Sequence, residues 1–223
     1  ENKNNFAMIE INSETDFVAK NQEFINFVEE VSKLALIKYG KIDDVLNSKM
    51  TNKKKVKDNL VDLISKIGEK ITLRKVAFIS NEKSINFSYV HSAVKRNLGK
   101  LGVLLSLKTT IPEKKISDLG KQMAMHIAAS SPLAIDKDNL DQDLLRKEKE
   151  IINEELKNSG KDNKIVEKIG IGKLNKFINE NTLLNQEWIM EPKKKVKDII
   201  KQHAGKDKIE INKFIRFKVG EGL

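Results

Sequence analysis

The sequence predicts an α+β fold: two related antiparallel-sheet subdomains with packed helices, plus an inserted antiparallel helical (coiled-coil) hairpin. Three observations lead there. Strand-like and helix-like segments come in runs and do not alternate strictly, which argues against a doubly wound parallel sheet. The order strand-helix-helix-strand occurs in 6–79 and again, interrupted, in 101–219, a weak internal duplication. The interruption is a pair of densely charged helices with a narrow apolar stripe, closer to a coiled-coil seam than to a globular core face.

Taken in order, Phe6, Met8, Ile9 and Ile11 make an alternating strand over Phe6–Ile11. A helix starts near Asn21, a favoured N-cap, because Phe24, Phe27, Val28, Val31, Leu34 and Ala35 share one face; Gly40 ends it. Lys54–Glu69 repeats the pattern through Val56, Leu60, Leu63, Ile64 and Ile67, with Gly68 as its stop. Strands follow at Ile71–Ile79, Ile85–His91 and Leu101–Lys108, with Gly99 and Gly102 shaping the entry to the last. After Pro112, the residues Ile116, Leu119, Met123, His126 and Ile127 trace one side of a helix that stops at Ser130-Ser131-Pro132.

The hairpin helices are Asp143–Ser159 and Lys164–Asn179. Asn158-Ser159-Gly160 is the stop between them, and so short a link makes the two helices antiparallel. A short helix at Val196–His203, a break at Gly205 and a strand at Ile209–Val219 complete the order. The expected domains are a core N-subdomain at 1–112, a core C-subdomain at 113–142 and 181–223, and the hairpin insertion at 143–180.

With 223 residues the chain can bury a sizeable core. The net charge of +10 admits nucleic acid, an anionic membrane or an acidic protein as partner. The lysines are scattered, however, and no Arg-rich or aromatic-interleaved stripe marks a nucleic-acid face, so no direct nucleic-acid partner is expected. A lysine-rich surface explains the charge equally well. The absence of cysteine excludes disulfides and thiolate chemistry and fits a reducing, cytoplasmic setting. No apolar run approaches the roughly 20 residues of a membrane span, and no membrane partner is expected. The start at Glu1, with no Met and no signal-like segment, suggests a trimmed chain.

The sequence carries few signs of enzyme chemistry. There is no phosphate-loop or dinucleotide glycine motif, so no cofactor is expected. His91, His126 and His203 are far apart and lack metal-ligand spacing, which leaves no candidate metal site. No nucleophile elbow occurs, and pairs such as Glu29-Glu30, Asp43-Asp44 and Glu154-Glu155 read as solvated faces. The expected role is therefore surface machinery for a partner, without covalent catalysis.

The strongest candidate for that machinery is Glu10–Asn21, above all Thr15-Asp16-Phe17-Val18. A strand runs into a polar turn that sets a carboxylate beside an aromatic ring before the next helix. An acid and a large apolar group in a strand-to-helix loop suit insertion into a partner, although Phe17 could instead tuck under its own helix. His126 shares a helix face with Met123 and Ile127 and is ordinarily a satisfied core histidine. Leu101-Gly102 begins a strand and would ordinarily serve packing. Trp188-Ile189-Met190 is an apolar cluster at a turn, either core or patch.

These strings resemble the elongation factor Ts family, and the resemblance runs the length of the chain. It is carried by Glu10–Asn21, Lys66–Ala77, Gly102–Leu105, Ala124–Pro132, Gly172–Phe177 with Gln186, and Phe214–Gly222, in the family's order. The resemblance implies a two-part α+β core with an inserted antiparallel coiled coil. It also implies that a helical N-terminal module and a C-terminal module lie outside this sequence. It implies a guanine-nucleotide exchange factor that binds elongation factor Tu and promotes GDP release by displacing Mg²⁺. Thr15, Asp16, Phe17 and Val18 are then the residues of Mg²⁺ dislocation, and Leu101, Gly102, His126, Ile189 and Met190 are further partner contacts. A homodimer through the hairpin is compatible with that role. The competing reading is a basic RNA- or ribosome-binding structural protein, whose binding would fall steeply with salt.

Overall fold

The computed structural model describes residues 5–80, 82, 84–157 and 162–222. Strand β1 (Asn5–Asn12) leads into helix α1 (Gln22–Ile37), whose N-cap is Asn21: its side-chain oxygen accepts from the N–H groups of Glu23 at 2.8 Å and Phe24 at 3.3 Å. The helix buries Phe24, Phe27, Val31 and Ala35, the face expected from their spacing. A five-residue helix α2 (Ile42–Leu46) follows, which the sequence pattern did not single out because it is shorter than two turns. Helix α3 (Val56–Ile67) ends where Gly68 takes up a left-handed conformation, φ 79°, that favours glycine. Strand β2 (Thr72–Ser80) then returns antiparallel to β1. The three helices and this ladder enclose one core that includes Ile11, Val18, Phe27, Val31, Val45, Val56, Leu63 and Leu73.

The ladder carries one irregularity. Glu10 pairs with Lys75 while Ile11 pairs with Leu73, so Arg74 is an extra residue on β2. The bulge lets Arg74 and Lys75, neighbours in sequence, both reach the same buried carboxylate: Glu10 lies 2.9 Å from Arg74 Nη1 and 3.1 Å from Lys75 Nζ.

Strands β3 (Ile85–Lys95) and β4 (Leu98–Thr109) form a longer hairpin than the sequence suggests, closed by a two-residue turn at Arg96-Asn97 with Asn97 at φ 64°. Alternation is weak from Ser92 onward, which hid this extension. Helix α4 (Glu113–Ser130) buries Ile116, Leu119, Met123 and Ile127 as expected. Beyond it lie α5 (Gln142–Lys157), α6 (Asn163–Asn181), α7 (Val196–Ala204) and strand β5 (Ile209–Lys218), which joins the sheet in the order β3-β4-β5. The fold is thus α+β with two small sheets. In each, the strands that flank a helical stretch, β1 with β2 and β4 with β5, are neighbours, as a duplicated unit requires.

By contacts the chain divides into two compact units. One comprises Glu1–Ala128 with Glu210–Leu223, the other Ala129–Ile209.

Within the second unit, α5 and α6 pack against each other antiparallel. Leu145 clusters with Ile178, Glu155 pairs with Lys173, and a Cβ at Gly170 would lie 3.5 Å from Leu156. The stop expected at Asn158-Ser159-Gly160 lies outside the described residues. Thr182 and Gln186 tie this unit together where α6 ends. Thr182 Oγ1 donates to Ile178 O at 2.7 Å, and Gln186 Nε2 donates to Ser130 O at 3.1 Å and Glu180 O at 2.7 Å.

Candidate functional site

The turn after β1 is fixed at both ends. Ser13 Oγ donates to Thr15 O at 3.1 Å on the strand side. On the helix side Val18 opens a short 3-10 turn, Val18–Lys20, and its side chain is buried in the core with Phe24, Phe27 and Leu73. Asn21 N–H donates to Val18 O at 2.9 Å, and the Asn21 side chain then caps α1. Between these anchors Asp16 and Phe17 are exposed, Phe17 to 82%. The sequence left open whether the ring folds under its own helix. It does not.

The loop after α3 braces the turn. Glu69 accepts two hydrogen bonds from Thr15, from N–H to Oε2 at 3.0 Å and from Oγ1 to Oε1 at 2.7 Å. In the other direction, Lys70 N–H donates to Glu14 Oε2 at 3.1 Å.

Asp16 Oδ1 lies 2.6 Å from Lys100 Nζ, on β4. That hydrogen bond, and then the lysine's charge, hold the Asp16 carboxyl below its ordinary value. Slight burial opposes this and the Lys20 ammonium adds to it. Beyond Lys100, Leu101 pairs across the sheet with His91 and Gly102 with Val90. Gly102 is a point of close approach: a Cβ there would stand 2.6 Å from Met8 Sδ on β1. Met8 over Gly102 and Asp16 on Lys100 therefore set the Leu101-Gly102 segment beside the turn.

The other expected contacts are placed differently. His126 is wholly buried on α4, among Met123, Ala124 and Ile127, and Val18 is a core residue; neither ring nor isopropyl group reaches the surface. Ile189 and Met190 belong to the second unit, each 40% exposed, in a turn that follows the buried Trp188 and is closed by Glu191 N–H donating to Trp188 O at 3.1 Å. Sequence reasoning missed Glu69 and Lys100. Their partners lie 54 and 84 residues away, and nothing local distinguishes one glutamate or one lysine in a chain rich in both. Among the described residues, no three His, Asp or Glu side chains gather as metal ligands would. What the turn presents is an aromatic ring and a carboxylate, on a backbone fixed from two sides.

A family model described as Elongation factor TS matches residues 14–221, which takes in the Thr15-Asp16-Phe17-Val18 tip. The chain belongs to the elongation factor Ts family. Its similarity to curated relatives is consistent with that. It is 40% identical over 221 residues to an elongation factor Ts of Rickettsia felis, covering 97% of this chain and 71% of the relative. It is likewise 40% identical over 220 residues to that of Rickettsia prowazekii, with the same coverage. Membership in the elongation factor Ts family gives the chain the role of a translation elongation factor. No helix among the described residues is long and apolar enough to cross a membrane.

Proposed function

We propose that this protein binds elongation factor Tu in its GDP state and promotes release of the nucleotide, acting in the cytoplasm. The observation that carries the reading is Phe17, an aromatic ring 82% exposed on a turn that hydrogen bonds hold in place, with Asp16 beside it. A phenylalanine that buries its ring in a partner removes roughly 150–250 Å² from water, enough to wedge between helices. A GTPase holds GDP through backbone contacts to the phosphates and through Mg²⁺, which tolerates only near-ideal octahedral geometry. Phe17 shifts a helix of the partner, while Asp16, released from Lys100, perturbs the water shell of the partner's ion. Leu101-Gly102, beside the turn, and the exposed Ile189 and Met190 add contact area. Val18, buried in the core, anchors the tip from inside.

Binding linkage supplies the rest. A factor that weakens GDP binding is itself weakened by GDP to the same degree, so exchange needs no covalent step. The experiment is stopped-flow release of labelled GDP from elongation factor Tu with increasing amounts of this protein. Acceleration that excess unlabelled GDP competes away supports the reading. An unchanged release rate at saturating protein contradicts it.

A further inference from the structure

Resting on that reading, we infer that Glu69 is a positioning residue for the Asp16-Phe17 tip. An exposed ring can wedge into a partner only if its backbone does not yield first. The turn's own hydrogen bonds, Ser13 Oγ to Thr15 O and Lys20 N–H to Phe17 O, span two and three residues and do not tie the turn to the rest of the fold. Lys100 holds only the end of the Asp16 side chain, and docking must remove that hold. Val18 anchors the far side.

On the near side the restraint is the α3–β2 loop. Glu69 takes both donors of Thr15, one from the backbone and one from the side chain, and a charged acceptor makes each bond stronger than a neutral one. Glu14 takes the Lys70 N–H in return, so two carboxylates lock two loops reciprocally. Gly68 sets the geometry. Its left-handed φ of 79° ends α3 and turns the chain so that the next residue faces the β1 turn. Thr15 is adjacent to Asp16 and two residues from Phe17, so a lost restraint at Thr15 passes directly to the tip. Glu69 acts through Thr15.

The test compares Glu69→Ala and Glu69→Gln with the parent by two readouts. The first is amide hydrogen exchange at Thr15 in the free protein. The second is the maximal rate of GDP release from elongation factor Tu, measured apart from the concentration giving half that rate. Glu69→Ala is expected to raise Thr15 amide exchange at least about tenfold, which marks local opening. It is expected to lower the maximal release rate on the order of tenfold or more, the scale of a small misplacement at a reacting centre, with the thermal midpoint little changed. Glu69→Gln keeps an acceptor oxygen and is expected to recover most of both. Unchanged Thr15 exchange in Glu69→Ala overturns the inference, as does faster exchange with the parent's maximal release rate. Those failures arise with an active parent. A parent that does not stimulate release instead removes the exchange reading, and the positioning role with it.

Discussion

Lys100 Nζ sits 2.6 Å from Asp16 Oδ1, so the carboxylate at the tip of the turn is already paired before any partner arrives. The pair is open to solvent, and such pairs contribute little to stability. Its consequence is chemical. The acid is held ionised, and a docking partner must offer it something better than a lysine.

The first prediction follows from the sign of that shift. Asp16 has a folded pKa below its ordinary value, so the pairing is fully present above the ordinary carboxylate range and is lost as pH falls through the folded value. In Lys100→Ala the Asp16 carboxyl should titrate at a higher pH than in the parent, read by carbon NMR of the side chain. Added salt should narrow the difference, since exposed charges are screened. The thermal midpoint should stay close to the parent's.

Val18 and Phe17 are neighbours with opposite burial, 3% and 82% exposed, and should separate stability from activity. Val18→Ala is expected to cost about 2 kcal/mol in urea unfolding, because the core it leaves is otherwise closed. Phe17→Ala should change stability by less than about 0.5 kcal/mol. A comparable loss from both would mean that the Phe17 ring contributes to its own core.

Glu10 is buried, and it organises the chain's last turn as well as the β1–β2 ladder. Arg74, which pairs with it, also donates to Glu221 O and Gly222 O at 2.7 Å each, and Gly220 N–H reaches Glu10 Oε1 at 3.3 Å. Burial, the largest influence, pushes the Glu10 carboxyl up. Lys75, Arg74 and the Gly220 N–H together outweigh it and hold the group below its ordinary value. Its contribution is therefore present above the ordinary carboxylate range and lost as pH falls through the lower, folded value. Glu10→Gln should cost about 2 kcal/mol at neutral pH, reduced from a fully buried pair because Arg74 and Lys75 are partly solvated. The gap between variant and parent in urea midpoint should close on acidification.

Much of this fold was legible where a signal was local. Asn21 announced the start of α1, Gly68 the end of α3, and the period of Phe24, Phe27 and Val31 gave the buried face. Asp16-Phe17 stood out because an acid and an aromatic ring share a polar turn. What stayed hidden was set by distance along the chain. The partners of Thr15 and Asp16 come from other elements, the bulge at Arg74 depends on ladder register, and α2 is too short to show a period. His126 shows the limit from the other side: helical spacing placed it on the apolar face, and that face is fully buried.

Gly102 offers a test of how β1 is held over β4. Gly102→Ala would press a Cβ to within 2.6 Å of Met8 Sδ. Because the thioether end can move, the expected cost is about 1–2 kcal/mol. Combining it with Met8→Ala should return part of that loss, a coupling read from a double-mutant cycle in urea.

The central claim is that the exposed tip opens the nucleotide site of another protein. Its most direct test is the stopped-flow rate of labelled GDP release from elongation factor Tu at saturating factor, parent against the double variant Asp16→Ala with Phe17→Ala. The prediction is a fall of at least about tenfold, near 1.4 kcal/mol of barrier, with folding intact. Release at the parent's rate would contradict the account.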